Sequence, residues 1–175
     1  MPIVSGTWLG EHLQPQVRGR GQRKLCIGDR AGEYEDHGGP ALQAESKKRD
    51  WHVLADAIVP DDKELIKEVI LSFEAQGCNL ILTTGGTGIT ERDVTPEALR
   101  EIMRVEIDGF GELMRMRSVD ITPNAILSRG LAAVVGNSLV ITLPGKPQGA
   151  VECLEFVEGA IAHTVKLCAG EPTSC

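Results

Sequence analysis

Two aspartates and one glycine-rich run carry the chemistry open to this chain. Asp61 follows the apolar stretch Val53 to Val59, and Asp93 follows Thr83-Thr84-Gly85-Gly86-Thr87-Gly88. Gly85, Gly86 and Gly88 permit backbone conformations closed to other residues and let a ligand approach the main chain, where turn amides form a nest for anions. Together with three threonines and the Arg92-Asp93 pair, they make an anion-binding crossover suited to phosphate rather than an ordinary strand-to-helix turn. Carboxylates at the same edge would repel phosphates unless a cation intervenes, and magnesium held by one or two carboxylates plus phosphate oxygens is the usual solution. Asp61 and Asp93 are therefore candidate metal ligands. The chemistry they imply is phosphoryl or nucleotidyl transfer, in which positioning and charge neutralisation dominate catalysis. Each acid also has a structural reading. Asp61-Asp62-Lys63-Glu64 has the spacing of a capping box, with Asp61 bonding the Glu64 amide, and Asp93 could pair with Arg92 or a nearby amide.

The elements that must position these residues alternate. Leu25 to Ile27 is a short apolar strand before Gly28-Asp29-Arg30, and Gly39-Pro40 opens a helix running to about Lys48. Val53 to Val59 reads as the second strand, ended by Pro60. Lys63 to Gln76 is an amphipathic helix with Leu65, Ile66, Val69, Ile70 and Phe73 on one face, closed by Gly77. Asn79 to Leu82 forms the strand that feeds the glycine loop. Thr95 then caps a helix with Pro96 at its first position, extending to about Val105. A further helix covers Gly111 to Arg117. Leu131 to Val135 and Ser138 to Leu143 flank Gly136-Asn137, a two-residue hairpin signal, and the pair ends at Pro144-Gly145. Pro147 opens the last helix, whose stripe is Val151, Leu154, Val157, Ile161 and Val165. This order predicts an α/β fold with a mostly parallel sheet, helices on both faces and a small antiparallel hairpin. Ligands of such sheets bind beyond the carboxyl ends of the strands.

Composition narrows the partners. The 175 residues make about one domain, with a formal net charge of −7 and a pI near 5.1. No broad positive field favours nucleic acid or an anionic membrane surface, and no segment approaches the roughly 18 apolar residues needed to span a bilayer. Cys26, Cys78, Cys153, Cys168 and Cys175 are odd in number and lack a C-x-x-C pair, which suggests neither a disulfide framework nor a zinc site and points to a reducing, cytoplasmic compartment. His12, His37, His52 and His163 are scattered and receive no role. Residues 1–24, rich in glycine and proline with Arg18, Arg20, Arg23 and Lys24 near their end, read as an irregular arm. Residues 25–168 form the folded domain and 169–175 a tail.

The motifs in order are Thr83 to Gly88, Arg92-Asp93-Val94-Thr95-Pro96-Glu97-Ala98, Pro123 with Leu127-Ser128-Arg129, and Leu143-Pro144-Gly145. They resemble the MogA and gephyrin G-domain family of molybdopterin adenylyltransferases, and Phe110-Gly111-Glu112-Leu113-Met114-Arg115 resembles the MogA branch. The resemblance extends from about Cys26 to about Leu167. It implies a three-layer α/β/α homotrimer that joins AMP from ATP to the terminal phosphate of molybdopterin, releasing pyrophosphate with magnesium, and hands the product to a molybdenum insertase. Carried over, the family's two essential acids fall on Asp61 and Asp93. Thr84, Gly85, Gly86, Thr87, Gly88 and Arg92 would contact nucleotide or substrate phosphates, while Ser128, Pro144 and Gly145 would line the pterin side. The chain departs from the family early, with Gly28 in a serine's place and a loop about two residues shorter between Arg30 and Tyr34. A non-catalytic molybdopterin-binding or scaffold relative would share the fold, as would domains of the insertase or competence-damage type. Retention of both acids, and Thr87-Gly88 followed by Arg92-Asp93, favour the adenylyltransferase.

Overall fold

Five consecutive buried residues, Leu80–Thr84, form the strand from which the glycine loop leaves. A strand that is apolar on both faces needs cover on both, and the rest of the chain supplies it. The computed structural model describes residues 24–30 and 38–172. The arm before Lys24, the Tyr34-Glu35-Asp36 loop, the final three residues of the tail and the side chain of Asp29 lie outside the described residues.

In chain order the strands are β1 (Lys24–Arg30), β2 (His52–Val59), β3 (Leu80–Thr84), β4 (Val105–Glu106), β5 (Ala132–Val135) and β6 (Ser138–Leu143). The helices are α1 (Gly38–Lys48), α2 (Lys63–Ala75), α3 (Thr95–Ile102), α4 (Asp108–Val119) and α5 (Pro147–Cys168), with a 3-10 turn over Pro123–Leu127. The six strands lie in the order β2-β1-β3-β6-β5-β4. The first four are mutually parallel, and β5 and β4 add antiparallel edges. Period-two alternation along β3 and β6 sorts the core into two layers. Leu80, Leu82, Leu139 and Ile141 meet Leu42, Phe110, Met114, Leu154 and Ile161 from α1, α4 and α5. Ile81 and Val140 meet Ile66, Ile70, Phe73 and Leu99 from α2 and α3. Each fully buried leucine or isoleucine contributes about 1.5–3 kcal/mol relative to exposure. The expected three-layer α/β/α architecture, its mostly parallel sheet and its hairpin are all present.

Local expectations change where pairing overrides them. The first strand is seven residues long rather than three, because β1 is flanked by parallel partners on both sides, with Gly28 opposite Ala57 and Thr83. Ladder hydrogen bonds from two neighbours recruit residues whose side chains carry no strand signal. Helix α3 stops at Ile102 rather than near Val105, since the Arg104 amide donates to the Val134 carbonyl at 2.8 Å and Val105–Glu106 joins the sheet as β4. Helix α4 begins at Asp108 rather than Gly111, and the 3-10 turn had no forecast. The hairpin at Gly136-Asn137 stands as expected, with Gly136 at a φ of 53°. Cys153 and Cys168 are free and buried. Cys78 is disulfide-bonded, which corrects the expectation that no disulfide forms; the odd count without a C-x-x-C pair does not report spatial proximity. No helix among the described residues is long and apolar enough to cross a membrane.

Candidate functional site

The glycine loop leaves the carboxyl end of β3 and is fastened on both sides. On the β6 side, the Gly85 amide donates to the Leu143 carbonyl at 3.1 Å, and the Thr84 hydroxyl donates to the Pro144 carbonyl at 2.9 Å. A Cβ at Gly145 would stand 3.3 Å from the Gly85 Cα, so the Pro144-Gly145 turn packs backbone to backbone on the loop. On the α3 side, Gly85 and Gly86 take φ values of 90° and 65°, a region that L side chains rarely enter. That curl turns both carbonyls toward Thr95, whose hydroxyl donates to Gly85 at 3.1 Å and whose amide donates to Gly86 at 3.2 Å. Thr95 is thus the first residue of α3, Pro96 the second, and Val94 stands at the cap position without a side-chain cap bond. The expected helix-capping role of Thr95 is overturned: its hydroxyl is used to hold the loop.

The two acids stand at opposite halves of this loop. Asp61 is not the cap of α2. Asp62 is, its Oδ1 accepting the Leu65 amide at 3.0 Å, which corrects the capping-box expectation by one residue. Asp61 instead lines a small cavity of about 30 Å³ together with Thr83, Thr84, Gly85 and Thr95. The hydroxyl oxygen of Thr83 in that wall is buried and has no hydrogen-bond partner among the described residues. Asp93 is buried beside Gly88. Its Oδ2 accepts the Thr90 amide at 2.9 Å and the Thr90 hydroxyl at 2.5 Å, and a Cβ at Gly88 would come within 2.8 Å of that oxygen. Gly88 is therefore needed to let the carboxylate lie against the backbone. Among the described residues Arg92 is exposed and forms no ion pair, so Asp93 takes the nearby amide and not Arg92.

Beyond the loop, Thr87, Gly88, Ser128, Pro144 and Gly145 share the wall of a cavity of about 430 Å³. Of the proposed binding residues, Thr84 and Gly85 line the smaller cavity and Thr87, Gly88, Ser128, Pro144 and Gly145 the larger, while Gly86 and Arg92 line neither. On the floor of the larger cavity the Cys153 thiol is 3.5 Å from the Ser118 hydroxyl. Burial pushes that thiol up from its ordinary range, and the Ser118 contact works the other way.

Arg129 is the residue that sequence reasoning left without a role. Its Nε donates to the Gly88 carbonyl at 2.6 Å, a second nitrogen donates to the Asp93 carbonyl, and a third pairs with Glu97. Its own amide donates to the Thr87 carbonyl at 2.9 Å. One planar guanidinium therefore spans both ends of the segment that carries Asp93, a task suited to its rigid fork of donors. The only sequence signal was its place in Leu127-Ser128-Arg129.

The donor set offered by the two acids and the loop hydroxyls is oxygen alone. Among the described residues no cluster of three or more His, Cys, Asp or Glu side chains forms a cage. Hard oxygen donors in small number fit magnesium completed by phosphate oxygens, rather than a metal held by a full protein shell.

The profile of the family described as "Probable molybdopterin binding domain" matches residues 20–163. The molybdopterin adenylyltransferase of Helicobacter pylori strain J99 is 44% identical over 154 residues, covering 83% of this chain and 86% of that protein. The molybdopterin adenylyltransferase of Escherichia coli K12 is 39% identical over 146 residues, covering 81% and 75%. Among solved structures, the molybdopterin biosynthesis enzyme MoaB of Thermus thermophilus superposes with a TM-score of 0.79 at 39% identity, covering 87% of this chain and 100% of that one. The molybdopterin biosynthesis Mog protein of Mycobacterium ulcerans has a TM-score of 0.80 at 27% identity, covering 86% and 99%.

Proposed function

Because the chain belongs to the family described as probable molybdopterin binding domain, we propose that it is a molybdopterin adenylyltransferase of molybdenum cofactor biosynthesis. It transfers AMP from ATP to the terminal phosphate of molybdopterin. A phosphate oxygen of molybdopterin attacks the α-phosphorus of ATP, the bond from that phosphorus to the bridging oxygen breaks, and pyrophosphate leaves with the bond electrons. The nucleophile is already an anion, so the protein need not supply a general base.

The observation that carries this reading is the placement of Asp61 and Asp93 on opposite halves of one clamped glycine loop. In it, Thr84, Gly85, Gly86, Thr87 and Gly88 hold the phosphates, with Arg92 approaching from solvent. Ser128, Pro144 and Gly145 line the pterin side. Asp61 and Asp93 are the residues that would hold Mg²⁺, which when bound neutralises charge on the phosphates during transfer. Thr95 and Arg129 keep the loop in register, so that the acids and the amides need no rearrangement during reaction. The same reading includes residues 25–168 as the catalytic domain, a cytoplasmic homotrimer, and transfer of the product to a molybdenum insertase.

Incubation with molybdopterin, ATP and magnesium should release pyrophosphate. Asp93→Ala should abolish that release while the protein stays folded, and full activity in this variant would remove Asp93 from the mechanism.

A further inference from the structure

The larger cavity holds one feature that the reaction above leaves unused. Among the described residues its wall carries two cations, Arg115 and Lys146, several hydroxyls, and a single carboxylate, Glu152. Glu152 sits in the second turn of α5, half-buried, and its Oε1 accepts the Gln148 side-chain amide at 2.8 Å. That bond steadies the carboxylate and leaves acceptor capacity on both oxygens.

We infer that Glu152 recognises the pterin ring of the substrate through its 2-amino-4-oxopyrimidine edge, a specificity role that rests on the molybdopterin reading above. An ionised carboxylate only accepts hydrogen bonds. A pterin presents two adjacent donors, N3–H and the 2-amino group, which match the two carboxylate oxygens as a bidentate pair. Adenine presents a donor beside an acceptor on the corresponding edge. It can satisfy one oxygen at most and sets a lone pair against the other. The carboxylate therefore favours pterin over adenine, because adenine leaves one acceptor oxygen without a donor and sets a lone pair against it. A volume of about 430 Å³ is in the range of small-molecule sites and accommodates a bicyclic ring. The assignment gives this cavity to the pterin and the Asp61 side of the loop to the nucleotide.

The test is fluorescence titration of the full chain with 6-hydroxymethylpterin, beside ATP titration and pyrophosphate release. Glu152→Gln should weaken pterin binding about ten- to a hundredfold, the range expected for hydrogen bonds to a charged group. Half-saturation by ATP should stay within about twofold. Glu152→Asp, which keeps the acceptor pair, should recover part of the loss. Glu155→Gln, an exposed change on the same helix, should alter nothing. Unchanged pterin binding in Glu152→Gln overturns the inference, as does an equal loss of ATP affinity or a wild-type chain that does not bind the probe. Wild-type turnover with Glu152-independent pterin binding defeats this inference alone. Glu152-dependent binding without wild-type turnover defeats the transfer reaction alone.

Discussion

The Oδ1 of Asp62 accepts the Leu65 amide at 3.0 Å and so closes the first turn of α2, which separates Asp62 from its neighbour Asp61 in function. Two adjacent acids of one type divide the work: one terminates a helix, and the other stands on the wall of the cavity beneath the glycine loop.

That division predicts opposite phenotypes. Asp62→Ala should cost about 1 kcal/mol of stability, a fall of about 2–4 °C in Tm for a chain of this length, with turnover nearly intact. Asp61→Asn should leave Tm within about 1 °C and suppress pyrophosphate release. Thermal denaturation and a pyrophosphate assay on both variants check this. The reverse pattern would return Asp61 to the role of cap.

Gly86 and Gly159 should respond with opposite sign to the same substitution. At Gly86 the φ is 65° and an added Cβ would lie 2.2 Å from the Thr95 hydroxyl oxygen, so Gly86→Ala should cost about 1–3 kcal/mol and displace the loop. At Gly159, inside α5, an added Cβ meets nothing within 4 Å. Gly159→Ala should stabilise by about 0.5–1 kcal/mol. Denaturant midpoints measure both.

Arg129 acts through the loop rather than on the substrate. Its contacts to the Gly88 and Asp93 carbonyls and to Glu97 predict that Arg129→Ala lowers kcat by as much as about a hundredfold, the scale of loss from misplacing a reacting group by an ångström. Added guanidinium at low millimolar concentration should restore part of the rate. Arg129→Lys should restore little, since one ammonium cannot reproduce the fork. A kcat equal to wild type in Arg129→Ala would show that the loop holds its shape without this residue.

Sequence alone was sufficient for the features that depend on spacing over a few residues. Alternating apolar runs and helical stripes establish the α/β layers because burial follows periods of 2 and 3.6. The Gly136-Asn137 hairpin and the strand, glycine loop and helix around residues 80–102 were legible for the same reason. Tertiary structure decided which groups meet across long separations. Thr84 reaches the Pro144 carbonyl across 60 residues because β3 and β6 are parallel neighbours whose carboxyl ends open on the same edge, and Arg129 reaches the Asp93 carbonyl across 36. Tertiary pairing also lengthened β1, cut α3 short at Ile102 and turned the Thr95 hydroxyl from a cap into a clamp. In each case a hydrogen-bonding group with several partners in local reach took the one that the packed sheet brought closest. Local spacing defines the options of such a group, and only the assembled fold selects among them.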